Sequence, residues 1–471
     1  MSGLSAAVTA GKNTCDSHKI VLLEADDDVG GRVRSDVIDG YICDRGFAVF
    51  IEQYPSVKAL LDYNGLQLRP FLPGALVKVS GSTQLARVSD PFRQPLSVVD
   101  ALLAPVGSLA DKIKVLPLLF DTVSKTPEAL FAEEEMTTMD ALKNKWGFGN
   151  DMISKFYTPF LEGIYLAPLE KQSSRMFHFV FKMFSEGSAT LPTGGIGAVS
   201  EQLKQEAINN GVHVRVGQAV SKLQKTEEGM FVIETTNAGS DDDDDDNKSA
   251  SVLHAKNVVL ATDGRVAQSF LSQLDGFAGA DTTATSSSSD SPSTLQEEQP
   301  QQAVGCLYYA LDTETPPVMD PILILNGDPS TRGTPDHPIN NLCFPSVVNP
   351  SYAPAGKHLC SVTVLRPVME QYLGKEADLD KAVRKQLSDW FPSANVSNWK
   401  LLTTYYIPNA QPGQLDGPSP ANVYGGRDCT TYRGKALPDG LAVCGDHMAT
   451  ATLNGAVESG VNAGNNYVAK V

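Results

Sequence analysis

The stretch that decides the fold is residues 1–50, which combine a helix start, a short strand and a glycine turn. The letters are MSGLSAA at Met1–Ala7, KIVLLEA at Lys19–Ala25 and VGGRVR at Val29–Arg34. Small residues thus begin a helix, and an apolar strand follows that ends in an acid. This order is typical of the second half of a βαβ unit that binds a dinucleotide, with the pyrophosphate at the helix N-terminus and the acid on the ribose.

The glycine and the acid of this unit are Gly3 and Glu24, and Glu24 follows Gly3 by 21 residues. That spacing is close to the ~20 residues that the unit requires. The first strand and the first two glycines of the unit are missing from the sequence as written. We therefore expect the chain as written to bind the dinucleotide poorly and to aggregate, and a preceding segment ending in Gly-x-Gly-x to restore binding. An ordinary helix–strand turn is the alternative for this stretch taken alone.

Two further signatures stand in the expected order along the chain. The turn Gly30-Gly31-Arg32 follows the strand, and Val443–Asp446 and Leu453–Gly460 close the sequence. Together they resemble the FAD-dependent amine oxidase, phytoene desaturase and protoporphyrinogen oxidase superfamily. The resemblance runs through most of the chain, and one branch of the superfamily is similar also at Asp44–Phe50 and Leu68–Ala75.

The resemblance implies an α/β (α+β two-domain) fold. A Rossmann-like FAD-binding domain is expected to interleave with a substrate domain made of a mixed sheet and helices. The FAD-binding domain is predicted at residues 1–54, 186–275 and 428–471, and the substrate domain at 55–185 and 303–427. Two polar segments, 240–248 with its aspartate run and 276–302, are predicted to be disordered inserts, since solvated like charges and Ser/Thr-rich tracts do not form a core.

The resemblance also implies noncovalent FAD and a set of residues that contact it. Relatives place the acid matching Asp446 on the ribityl and pyrophosphate region, the backbone matching Val220 on adenine, and the helix start matching Leu453 at the flavin ring. A helix N-terminus there would stabilise the negative charge that develops on reduction. The predicted cofactor-binding residues are Gly3, Glu24, Gly30, Gly31, Arg32, Gly46, Phe47, Val220, Gly445, Asp446, Leu453 and Asn454.

The composition of the chain limits the kinds of partner and site that are expected. The formal net charge is −17, so nucleic acid is not expected, because binding it requires a basic face. The seven cysteines contain no Cys-x-x-Cys pair, and no histidine pair has metal spacing, so neither a disulfide framework nor a metal site is predicted. A reducing compartment is expected, cytoplasmic or organellar, and a plastid if a targeting peptide precedes Met1. No apolar run reaches the 18 residues of a membrane span.

The reaction implied is removal of hydride from a carbon by FAD, with a small-molecule substrate, an unidentified electron acceptor and no identified catalytic residue. Amine oxidases carry an aromatic residue beside the final Gly-Asp, whereas Ala442, Val443 and Cys444 precede it here. Tyrosines 308, 309, 405 and 406 either supply aromatics or belong to the core. An apolar substrate, polyene or tetrapyrrole-like, is therefore favoured. A flavin amine oxidase, or a flavin- or lipid-binding protein without turnover, is the alternative.

One apolar segment allows two interpretations. Residues 101–123 include a predicted helix with Leu109, Ile113, Leu116, Phe120 and Val123 on one face, begun by a capping box at Ser108. This face either lines a buried substrate cavity or makes a peripheral contact with a membrane.

Overall fold

A computed structural model describes residues 1–14, 19–82, 84–89, 93, 103–237, 251–274, 277, 301–313, 315–416 and 420–468. The insert predicted at 240–248 and most of the one at 276–302 lie outside these residues. The second insert ends earlier than the predicted residue 302, because Gln301 and Gln302 begin a strand that is paired along much of its length.

The strands of the described residues range in length from 2 to 13 residues. They are β1 Ile20–Leu23, β2 Ser35–Ile38, β3 Tyr41–Asp44, β4 Phe50–Ile51, β5 Arg69–Pro70, β6 Gly74–Lys78, β7 Leu85–Ser89, β8 Ala189–Leu191, β9 Val212–Arg215, β10 Gln218–Lys225, β11 Phe231–Asn237, β12 Ser251–Ala255, β13 Val258–Leu260, β14 Gln301–Leu311, β15 Leu323–Asn326, β16 Ile339–Cys343, β17 His358–Leu365, β18 Lys400–Pro412, β19 Thr431–Tyr432, β20 Lys435–Ala436 and β21 Leu441–Val443.

The α-helices range from a single turn to about four turns. They are α1 Ser2–Asn13, α2 Pro55–Leu60, α3 Tyr63–Leu66, α4 Leu109–Ser124, α5 Pro127–Phe131, α6 Thr138–Asp140, α7 Asn150–Met152, α8 Thr158–Tyr165, α9 Ser174–Glu186, α10 Gly197–Asn209, α11 Gly264–Leu271, α12 Pro345–Val348, α13 Arg366–Met369, α14 Glu376–Trp390 and α15 Leu453–Val468. Two π-helical turns, Ala141–Lys145 and Ile153–Tyr157, extend α6 and α7.

The chain forms two compact units, which confirms a mixed α/β fold of two domains. Unit 1 comprises residues 1–31, 200–300 and 412–471, and unit 2 comprises 32–199 and 301–411. Residues 32–54 and 186–199, expected in the cofactor domain, lie in unit 2 because β4 and β5 both pair with β8 there. Residues 412–427, expected in the substrate domain, lie in unit 1, where they bond to the segment after β21.

Unit 1 contains two separate pairs of parallel strands. Strand β1 pairs with β9, starting at Ile20 opposite Val212, and β13 pairs with β21, starting at Val258 opposite Leu441. An antiparallel sheet of β10, β11 and β12 and the hairpin β19–β20 complete the unit. Parallel strands place their carboxyl ends at one edge, where α/β proteins bind ligands.

Unit 2 is built on a seven-stranded mixed sheet in the order β18-β14-β17-β16-β15-β6-β7. Its long strand β14, next to the edge strand β18, is almost wholly buried, with Leu307 and Tyr309 on one face and Cys306 and Tyr308 on the other. Helix α14 packs against the first of these faces through Leu379, among others. Strands β6 and β7 form a hairpin. The capping box predicted at Ser108 is confirmed at the start of α4, with Asp111 as its second member.

A buried histidine joins several helices of unit 2. His178 of α9 is only 1% exposed, its Nε2 accepts a hydrogen bond from Trp146 Nε1 at 3.0 Å, and its Nδ1 lies 3.4 Å from Glu133 Oε2. Burial, together with the nearby charge of Lys145, lowers the pKa of His178 to about 4, although Glu133, and Asp121 more weakly, oppose the shift.

We predict that this residue makes unit 2 acid-sensitive. Between pH 6.5 and 4 the unfolded imidazole takes up a proton that the folded one refuses, so stability falls as pH falls, by up to about 3 kcal/mol. His178→Gln, whose amide oxygen can still accept from Trp146, should be less stable at pH 7 but lose less stability on acidification. Urea unfolding between pH 7 and 4.5 measures this. A variant profile parallel to that of wild type, or an equal change in His254→Gln, whose ring is exposed, would contradict the prediction.

Candidate cofactor site

The N-terminal helix lies close to the end of a strand of unit 1, and a glycine permits the approach. A Cβ atom added at Gly3 would lie 3.1 Å from the Cβ of Ala261, which directly follows β13. No side chain caps the N-terminus of α1. The amides of the first turn of a helix have no partner within the helix and favour an anion. A close approach of helix to strand is what the last glycine of a βαβ unit permits.

Two predicted residues, Glu24 and Val220, lie in segments that meet at the end of β1. Glu24 follows the strand directly, and its Oε1 accepts a hydrogen bond from the Asp26 amide at 3.1 Å. The Gln218 amide donates to the Glu24 carbonyl at 2.8 Å, which places the start of β10 beside it. The register of β10 shifts just after Val220. A bulge of this kind interrupts the regular ladder of backbone bonds.

The turn at Gly30 and Gly31 leaves open space at its second glycine. Their φ angles are 115° and 59°, and a Cβ atom added at Gly31 would meet no atom within 4 Å. Asp28 Oδ1 holds the preceding residues by accepting from the Val29 amide and from Lys204 Nζ, both at 2.8 Å. This geometry suits a backbone that approaches a phosphate closely.

The turn after β21 is tied to the C-terminal helix by a serine. The Ser459 hydroxyl of α15 accepts a hydrogen bond from the Gly445 amide at 3.0 Å and donates to the Gly445 carbonyl at 2.9 Å. Asp446 and Asn454 are buried, and Thr452 Oγ1 accepts from the Gly455 amide at 3.1 Å at the start of the helix. Sequence reasoning missed Ser459, although the motif that carried the resemblance contains it.

One helix brings the two ends of the chain together. A Cβ atom added at Gly460, next to Ser459, would lie 2.3 Å from the carbonyl oxygen of Ser2. The start of α1 and the Gly445–Asp446 turn are thus held by consecutive residues of α15. Both lie where an FAD pyrophosphate and ribityl chain are expected from the sequence.

Sequence reasoning also missed a second loop at this turn. Residues 421–427 pair with the segment after Asp446: the Ala451 amide donates to the Ala421 carbonyl at 3.0 Å, and the Arg427 amide donates to the Met448 carbonyl at 2.7 Å. The signal was present, since Gly425-Gly426-Arg427 repeats the tripeptide at Gly30–Arg32.

Three predicted residues belong to unit 2, where they gather near the end of β18. Arg32 Nη1 donates to the Ala410 carbonyl at 2.6 Å. Gly46 has a φ of 89°, and a Cβ atom added there would lie 2.8 Å from Ile407 Cδ1. Phe47 is half-buried beside the face of the sheet that carries Tyr308. These residues therefore share one edge of unit 2.

A buried carboxylate supports the segment that leads to Gly46. Asp44 accepts hydrogen bonds from Ser35 Oγ at 2.6 Å, from the Ile196 amide at 3.0 Å and from Tyr352 Oη at 2.9 Å. Burial raises the pKa of Asp44 to about 6, against the effect of these three donors. The sequence pattern placed Asp44 in a motif but gave it no role.

The residues of unit 1 fit a bound dinucleotide. The open turn at Gly31 and the uncapped start of α1 supply backbone amides for phosphates. The acid at the end of β1 supplies an acceptor for the ribose hydroxyls. Cys444 is fully buried, and burial raises the pKa of its thiol to about 12, which leaves it a poor nucleophile.

Comparison with known proteins identifies the family of the chain. The profile of the family "flavin containing amine oxidoreductase" matches residues 1–466. Over 164 residues the chain is 27% identical to Protoporphyrinogen oxidase 2, chloroplastic/mitochondrial, of Arabidopsis thaliana, a match that spans 34% of this chain and 31% of that relative. The chain therefore matches less than a third of that relative's length.

Solved structures share the fold at low sequence identity. An oxidoreductase from Methanosarcina mazei is 17% identical, with a TM-score of 0.63 over 98% of this chain and 96% of that one. Wild-type putrescine oxidase bound to putrescine is 14% identical, with a TM-score of 0.61 over 100% of this chain and 96% of that one. Because the family profile covers almost the whole sequence, the chain belongs to the flavin-containing amine oxidoreductases.

Proposed function

We propose that this FAD-dependent oxidoreductase removes hydride from a carbon of an apolar, tetrapyrrole-like substrate. The observation that carries the proposal is the placement of four tyrosines of unit 2, which a cage for an amine cation would need. Such a cage requires ring faces turned toward the cation. All four rings are instead engaged within the sheet or by carboxylates.

Each of these tyrosines has a structural partner. Tyr308 is buried with its ring edge-on to Tyr405, 6.1 Å between centroids. Tyr309 Oη donates to Asp380 Oδ1 at 2.8 Å, Tyr405 Oη to Asp36 Oδ2 at 2.6 Å, and Tyr406 Oη to Glu370 Oε1 at 3.3 Å. The Arg384 guanidinium lies 5.0 Å from the centre of the Tyr309 ring. That ring face is therefore taken by a residue of the chain itself.

The curated relative supports a tetrapyrrole over a polyene, because its name states that it oxidises protoporphyrinogen. When bound, FAD would accept the hydride that leaves the substrate carbon. The chain's contribution is to hold the cofactor through unit 1. Gly3, Glu24, Gly31 and Asp446 are the residues proposed to do so.

Anaerobic mixing of the FAD-loaded protein with protoporphyrinogen tests the proposal. Flavin absorbance should bleach while porphyrin fluorescence appears. Putrescine, run in parallel with peroxide detection, represents the amine oxidase alternative. Bleaching by putrescine alone would overturn the proposal, and a protein that binds FAD but is bleached by neither substrate would favour binding without turnover.

A lipid surface is the second proposed partner, because the apolar face of α4 is exposed. Leu109, Ile113 and Phe120 are 59%, 57% and 68% exposed, and Leu103 just before the helix is 77% exposed. This exposure favours a surface contact over the lining of a buried cavity. Lys112 and Lys114 of the same helix point their amines at the Ala104 and Gly147 carbonyls. No helix in the described ranges is both long and apolar enough to cross a membrane.

Vesicle flotation tests this contact. The wild-type protein should float with phosphatidylcholine vesicles, since the exposed apolar side chains supply the binding energy, and Phe120→Glu should remain in solution. Lys125→Glu, near the end of the same helix, serves as the charge control. Loss of flotation in both variants, or a dimer that forms without vesicles and is broken by Phe120→Glu, would contradict a lipid partner.

A further inference from the structure

A second Gly-Gly-Arg turn in unit 1 repeats features of the first. Gly425 and Gly426 have φ angles of 82° and 76°, and the φ angles of Gly30 and Gly31 in the first turn are also positive. In both turns the arginine donates to a backbone carbonyl: Arg427 Nη2 to that of Pro420 at 2.7 Å, and Arg32 Nη1 to that of Ala410 at 2.6 Å. The two tripeptides thus share sequence, backbone sense and anchoring.

The second turn is held rigidly against the candidate cofactor turn. The Gly425 amide donates to Glu458 Oε2 at 3.0 Å, and Asn462 Nδ2 donates to the Gly425 carbonyl at 2.8 Å, so α15 occupies both polar groups of this glycine. The Arg427 amide is bonded to the Met448 carbonyl, two residues beyond Asp446. Arg427 therefore has a fixed backbone beside the segment expected to carry the cofactor.

The side chain of Arg427 is a half-buried cation that lacks a counterion among the described residues. No carboxylate there forms an ion pair with it, and its Nε–H is covered without a hydrogen-bond partner. Burial lowers its pKa, and no acid opposes the shift. Burying a charge is costly unless it is paired. A bound anion would remove that cost.

We propose that Arg427 binds an oxyanion at the cofactor turn, either the pyrophosphate of FAD or a carboxylate of the substrate. The guanidinium fork matches the geometry of phosphate and carboxylate oxygens, and the bond to Pro420 orients it in advance. The carboxylate source rests on the substrate proposed above. The pyrophosphate source does not depend on the substrate.

The test compares Arg427→Gln and Arg427→Lys with the control Lys435→Gln, an exposed residue of the same unit whose loss changes the net charge equally. Glutamine retains a donor for the Pro420 carbonyl, so a purely structural role would be rescued. Each apoprotein is titrated with FAD and with riboflavin by flavin fluorescence, and with pyrophosphate alone by thermal shift. KM is measured for protoporphyrinogen and for its dimethyl ester.

If Arg427 binds the pyrophosphate, Arg427→Gln should bind FAD about tenfold more weakly and lose the pyrophosphate shift, with riboflavin unchanged. If it binds the substrate, FAD affinity should hold and KM should rise about tenfold for the acid but not for the ester. The affinities and KM values of Arg427→Lys should lie between those of the wild type and those of Arg427→Gln. The lysine variant decides the test if Arg427→Gln does not fold. Wild-type values in every assay, or the same losses in Lys435→Gln, would overturn the proposal. Should the wild type not oxidise protoporphyrinogen, the FAD and pyrophosphate titrations decide alone.

Discussion

Replacing Gly460 by leucine should destabilise unit 1 by about 3 kcal/mol or more, near the upper end for an overpacked site. Helices α1 and α15 approach closely enough for their backbones to touch: a Cβ atom at Gly460 would lie 2.3 Å from the Ser2 carbonyl oxygen, and one at Gly464 would lie 2.7 Å from that of Ala6. A carbonyl cannot move aside without shifting the whole of α1. Urea unfolding and the melting temperature measure the loss.

Alanine variants grade the same effect. Gly460→Ala should still destabilise, although alanine favours a helix over glycine by about 1 kcal/mol, because the clash begins at Cβ. Gly464→Ala should cost less, since its clash is milder. Val461→Leu, on the same helix and half-exposed, should be nearly neutral. Normal stability of Gly460→Leu would show that the two helices are not in this contact.

The sequence predicted those elements whose signals are local. The capping box at Ser108 forms as its hydrogen-bonding groups require. Gly11 does not end the N-terminal helix, because α1 continues past it to Asn13. A Cβ atom at Gly11 would lie 2.8 Å from the Asn210 carbonyl oxygen. This glycine therefore serves a tertiary approach, and no local pattern distinguishes that from a helix stop.

The candidate site shows the same limit. Glu24 and Gly3 could be identified because their spacing follows the βαβ unit. Ser459 and Arg427 could not be given roles, because each acts through a partner far away in the sequence or across a turn: Gly445 for the serine, Pro420 and Met448 for the arginine. The outward direction of Phe120 was equally hidden, since periodicity defines an apolar face but not what covers it.

Asp446→Ala should weaken FAD binding by about tenfold or more while leaving the apoprotein folded. A carboxylate that accepts hydrogen bonds from the cofactor contributes about 1.5–3 kcal/mol, and alanine removes both acceptors. Equilibrium titration of the apoprotein with FAD measures the loss. Asp439→Ala, an exposed acid before β21, is the matched control and should bind FAD as the wild type does.

Ser459→Ala separates the position of Asp446 from its chemistry. Alanine keeps the helix but removes the hydroxyl that engages both polar groups of Gly445, so the turn should loosen while the carboxylate remains. FAD affinity should fall less than in Asp446→Ala, and the Gly445 amide should exchange faster with deuterium in the apoprotein. The double variant should bind FAD no more weakly than Asp446→Ala alone. The two substitutions remove the same interaction of Asp446 with FAD, so their effects should not add. Additive losses would instead mean that Ser459 contributes to FAD binding by a route other than Asp446.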